Sequence, residues 1–185
     1  MIGGSGSRLV LDIPPQLSMI VFATRCLHPQ PAAGVGGNPF IDPSIDRLVG
    51  FQSGLEERKE VAMFEPIDWG RLWLDASAGR LRPSVEEVLG EQIGTELLTK
   101  WSAWWNTGGV KRQMVDLSLR LSRHAFGRSL GPRISDRYER IDLLPLLGDS
   151  SYLLDGGSHV QIGVHGFDVH AIVDRLTEGI GGRNF

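Results

Sequence analysis

Between Ser84 and Phe126 apolar residues recur every three or four positions in two runs, broken only by Asn106-Thr107-Gly108-Gly109. That period belongs to helices, so this stretch predicts two of them joined by a short loop. Pro83-Ser84-Val85-Glu86-Glu87 is a helix start: Ser84 can cap the free N–H groups and Glu87 can bond back to it. The first stripe is Val85, Leu89, Ile93, Leu97 and Trp101, with Val88 and Trp104 beside it. Gly90 and Gly94 weaken the helix but let a neighbour come close. The second helix is expected from Val110 to Phe126, with Val110, Met114, Leu117 and Leu121 buried and Val115 and Leu119 widening the stripe. A four-residue loop favours antiparallel neighbours, so both stripes are expected to share one core.

Before this pair the chain reads as strands and loops. Arg8–Ile13 and Leu17–Thr24 have strand character, the latter through Met19-Ile20-Val21-Phe22-Ala23. Residues 28–43, rich in Pro, Gly and Ala, read as a long loop of the kind that is usually functional or mobile. Residues 44–50 suggest a helical turn, and Glu60–Pro66 a further strand. Arg71–Asp75 and Arg80–Arg82, around Ala76-Ser77-Ala78-Gly79, read as a hairpin. After Phe126 a basic, irregular connector leads to an apolar stretch at 142–147, a short strand at 152–154 and a strand over His159–His165. The last helix is expected to start at Asp168, with Val169, Ile172, Val173 and Leu176 buried and Gly179 as its stop. These elements predict one α+β domain over residues 8–180: a mostly antiparallel sheet with a central pair of antiparallel helices and a C-terminal helix packed on it. Residues 1–7 read as a flexible tail or a linker remnant, and 181–185 as a loose end.

The 185-residue length suits one domain. With a net charge of −3, the balance argues against nucleic acid as partner. One cysteine, Cys26, excludes an internal disulfide and an all-cysteine metal site. No apolar run of about 18 residues exists, so no membrane span is expected. With no signal-peptide pattern at the start, the expected location is the cytoplasm. Arginine outnumbers lysine 16 to 3, a composition associated with GC-rich bacterial genomes.

Three regions could carry chemistry. His165, Asp168, His170 and Asp174 supply imidazoles and carboxylates, the ligand types of zinc or iron, though their spacing matches no established motif; the alternative is a solvated strand face and a surface pair. Lys100 to Arg140 holds nine basic residues against three acidic ones, among them Arg120, Arg123 and Arg128. Such a patch suits phosphates, an acidic protein, or the chain's own acidic part: residues 42–99 hold twelve acidic against six basic residues. Glu65, Asp68, Trp69, Trp73 and Asp75 form an acidic, aromatic edge suited to a basic partner, and Trp105, about 100° round the helix from Trp104, to anchoring one. No nucleophile elbow, phosphate loop, dinucleotide fingerprint or metalloprotease motif is present.

Leu72-Trp73-Leu74-Asp75, then Gly79-Arg80-Leu81 leading into a helix, resembles small bacterial immunity proteins. What the resemblance implies is a protein partner, a toxin to be neutralised, and no catalysis. The leading expectation is therefore a non-catalytic protein-binding module without a cofactor. The alternatives are a metal-dependent enzyme built on the C-terminal His/Asp cluster and a nucleic-acid binder acting through residues 111–140.

Overall fold

The computed structural model describes residues 9–27, 38–42, 46–50, 67–80, 84–93, 95–125 and 131–180. A four-stranded sheet has the order β1-β2-β4-β3, from β1 (Val10–Asp12), β2 (Arg140–Leu144), β3 (Ser151–Leu154) and β4 (His159–Gly163). β1 pairs with β2 and β2 with β4 in parallel; only β3 runs antiparallel to β4. The fold is α+β, but the sheet is mixed, not mostly antiparallel. Parallel strands are joined by crossovers that lay helices on the sheet, so they are commonly buried on both faces. All five residues of β4 are buried accordingly.

Among the described residues seven α-helices accompany the sheet: α1 (Pro15–Leu27), α2 (Trp69–Ser77), α3 (Val85–Ile93), α4 (Thr95–Ser102), α5 (Val110–Ala125), α6 (Gly131–Ser135) and α7 (Val169–Glu178). Two of them replace expected strands. The apolar run 17–24 lies in α1, buried without interruption from Leu17 to Arg25. A helix apolar all round is a core helix, and a short apolar run does not distinguish it from a buried strand. Pro15 opens α1, where its missing N–H costs nothing.

The expected hairpin at 71–82 is α2 over its first seven residues. Asp68 caps it, accepting from Arg71 N at 3.0 Å. Leu72, Trp73, Ala76 and Ser77 are buried, a helical spacing. Gly79, at φ +64°, ends it: its N–H bonds Ala76 O and the Arg80 N–H bonds Asp75 O. That pair of bonds around a left-handed glycine is a helix C-cap. Gly79 thus closes a helix and not a strand turn. The residues that carry the resemblance to immunity proteins have no hairpin beneath them.

The central helices differ from expectation in arrangement. The capping box is present, with Ser84 N donating to Glu87 Oε2 at 2.7 Å and Glu87 N to Ser84 Oγ at 3.2 Å. Its described parts are α3, to Ile93, and α4, from Thr95; Gly94 lies outside the described residues. A methyl group on Gly90 would stand 3.2 Å from Leu98 Cδ1, so the glycine does permit a close approach, by α4. α3 and α4 pack chiefly on each other and on α1, while α5 packs on α7 and β1, so the expected pair is not closely docked helix on helix. Val85 and Leu89 of the first stripe and Val110, Met114, Leu117 and Leu121 of the second nonetheless belong to one apolar cluster. Between α4 and α5 lies a π-helical turn, Ala103–Thr107, with Gly108 N bonded to Ala103 O at 2.7 Å.

The ends of the chain's last unit match their expectations. β3, β4 and α7 fall within a few residues of their expected places, and Val169, Ile172, Val173 and Leu176 are buried. One continuous apolar cluster runs through the described elements. No described helix is long and apolar enough to cross a membrane. The expected tails, and most of the expected 28–43 loop and the 60–66 strand, lie outside the described residues.

Candidate functional sites

Among the described residues, two places have the geometry to act on something else: a polar cleft at the start of the parallel strands, and the outer face of α5.

The cleft begins with strand register. Asp12, Asp142 and Gln161 stand side by side on β1, β2 and β4, with Arg140 and His159 paired one row earlier. Alternation puts these side chains on one face of the sheet. Asp142, with no exposed surface, accepts from Arg140 Nε at 2.7 Å and lies 2.8 Å from His159 Nε2. Gln161 Nε2 adds a bond to Ser77 Oγ at 3.0 Å and a longer one to Asp142 Oδ2 at 3.4 Å. Gln161 Oε1 accepts from Trp73 Nε1 at 2.8 Å. Arg140 Nη2 reaches Asp12 Oδ2 at 3.0 Å. A buried carboxylate demands this: each of its oxygens must meet a donor, and its charge a cation.

Above the network a cleft of about 420 Å³ opens between the end of α2 and the starts of β2 and β4. Ser77, Arg80, Glu139, Arg140, Asp155 and His159 line it. His159 Nδ1 lies 3.6 Å from Asp155 Oδ2, and Asp155 is largely exposed. The sequence suggests a solvated face for the His159–His165 strand, as the alternative to a metal site, and an apolar stretch at 142–147. The missed signal was a charged residue, Asp142, set among Ile141, Leu143 and Leu144.

The second place is α5. Val110, Met114, Leu117 and Leu121 are buried as expected. Val115 and Leu119 are not part of that stripe: they are 44% and 54% exposed. They lie in one ridge, Lys111-Val115-Leu119-Arg123, spaced four residues apart and exposed throughout. Arg112, Asp116 and Arg120 form the row beside it, with Arg120 Nε paired to Asp116 at 3.0 Å.

The other expected site residues fall as follows. Trp73 is fully buried and stacks on Phe40 with centroids 5.6 Å apart, so it is a core residue and not part of an exposed edge. Trp105 is 4% exposed, packed on Trp101 and Trp104. The π turn, wider than an α turn, carries neighbouring Trp104 and Trp105 both into the core. Asp68 is committed to capping α2, Asp75 pairs with Arg71 at 3.7 Å, and Trp69 packs partly against the core. Glu65 and Arg128 lie outside the described residues. Of the basic segment, Arg133 and Arg137 are exposed, but Arg140 is turned into the sheet.

The His/Asp cluster is not assembled. Asp168 Oδ1 accepts from His170 N at 2.9 Å and Ala171 N at 3.2 Å, which caps α7 and holds its carboxyl below the usual range. The His170 ring packs edge-on against His124, with centroids 5.0 Å apart. His165 and Asp174 are exposed, and no group of three His, Cys, Asp or Glu among the described residues is placed to hold a metal ion.

No protein-family profile, curated protein or solved structure matches the chain.

Proposed function

We propose that the chain is a protein-binding module that docks through the outer face of α5 on a partner surface with an apolar centre and acidic flanks. The observation that carries this reading is the Lys111-Val115-Leu119-Arg123 ridge. Two large apolar side chains stand in water at its centre, and a cation stands at each end. At 1.5 Å per residue the cations are about 18 Å apart along the helix, a span suited to a protein groove with a carboxylate at each mouth. An apolar pair flanked by charge is also how an amphipathic helix is read by a groove.

The apolar centre favours protein over nucleic acid. A phosphate-binding face gains from cations along its whole length and gains nothing from Val115 and Leu119. An immunity-type role is the case in which the partner is a toxin; the ridge itself supports binding without specifying that partner.

The test uses paired baits in extract of the native host, treated with nuclease. The expected result is a stoichiometric protein retained by the wild type and released by Val115→Glu/Leu119→Glu, with unchanged thermal unfolding of the bait. With that partner purified, affinity falls at least about tenfold in the double variant, as for a buried apolar anchor. Salt weakens it further through Lys111 and Arg123. A partner bound equally by both baits, or a nucleic acid in its place, contradicts the reading.

A further inference from the structure

We infer that the cleft over β2 and β4 is a binding site for a small amine, seated with an N–H donor between His159 Nδ1 and Asp155. The argument starts at Asp142. Buried, and bonded to the Arg140 guanidinium, it is an acceptor only. Its contact with His159 at 2.8 Å therefore places a proton on Nε2. In the neutral imidazole the lone pair is then on Nδ1. Nδ1 faces the Asp155 carboxylate 3.6 Å away, too far for a hydrogen bond and with an acceptor on both sides of the gap.

Two acceptors converging on a cleft call for a donor between them. A primary ammonium supplies two N–H bonds and the charge that Asp155 and neighbouring Glu139 favour. The imidazole is 5% exposed and held by a network that runs through Asp142 and Gln161 to Ser77 and Trp73, so the acceptor pair stands on a fixed base. Arg80 lines the same cleft, and its guanidinium suits a carboxylate on the same ligand, which makes an amino-acid-like zwitterion the expected class.

Protonation competes with such a ligand. With both ring nitrogens protonated, His159 itself donates toward Asp155, and the gap closes without the amine. The groups facing the imidazole are Asp142 and Asp155, with Arg140, Arg80 and Glu139 in the surrounding wall.

The experiment follows the His159 ring nitrogens by ¹⁵N NMR in the full chain during titration with ethylammonium, glycine, tetramethylammonium and acetate. The expected result is a saturable shift at Nδ1 with ethylammonium and a tighter one with glycine. Tetramethylammonium, a cation without an N–H, gives none. Asp155→Asn, at an exposed position that leaves the core intact, weakens binding by about tenfold, the effect of losing one charge-assisted bond. An equal response to tetramethylammonium, a response to acetate alone, or an unchanged affinity in Asp155→Asn overturns the inference.

Discussion

At the scale of single residues, burial decides which groups react and which bonds matter. Cys26 is part of α1, and burial pushes its thiol from 9.0 up to about 11, an effect only partly offset by Lys100. At neutral pH almost no thiolate exists in the folded chain, and the thiolate is the nucleophile. Iodoacetamide should therefore label Cys26 far more slowly in the native protein than in urea. Because the thiol ionises at a lower pH when unfolded, stability is lost as pH rises from about 9 towards 11. Trp73 makes a different point. Its ring fills the core and its Nε1–H satisfies Gln161. Trp73→Phe keeps most of the packing but leaves Gln161 Oε1 buried without its donor, at a cost of about 1–3 kcal/mol in denaturant unfolding. Asp168 works at a helix end. Its carboxyl, depressed by the backbone bonds it accepts, adds stability above the usual carboxylate range and loses it as pH falls through the depressed value. Asp168→Ala should lower the melting temperature at pH 7, with the difference from wild type vanishing in strong acid.

At the scale of elements, what was legible in the sequence had local causes. The capping box at Ser84, the buried stripe of α5 and the whole of α7 follow from hydrogen bonding and periodicity within one segment. What was misread depends on partners distant in sequence. The run 17–24 is equally apolar as strand or helix, and its burial on all sides comes from α2, α3 and α4. At 71–82 the local signals were present, an Asp68 cap and a Gly79 stop, but glycine closes hairpins and helices alike. Gly79 supplies a clean test, since nothing lies within 4 Å of a methyl group there and φ is +64°. Gly79→Ala should cost about 1 kcal/mol from backbone strain alone. A neutral substitution would mean that the cap is not formed. The polar network under the cleft was illegible for a related reason: Arg140, Asp142, His159 and Gln161 meet only once β2 and β4 are in parallel register.

At the scale of the whole molecule, the sheet sets the two candidate surfaces apart. Its parallel strands bury their polar row beneath α2 and open it at the cleft, where seven of the eight lining residues are charged or polar. α5 lies against β1 and α7 and turns the Lys111–Arg123 ridge outward. Only part of the basic run is available to a partner, because Arg140 serves the sheet. The most direct test of the docking face is site-specific photo-crosslinking in the native host, with a benzophenone side chain at Leu119 and, as control, at the exposed Asp174 of α7. A single discrete adduct at position 119, absent at 174, is the predicted result. Adducts at 174 with none at 119, or none at either position beside a partner that still co-purifies, would contradict the assignment of α5 as the binding face.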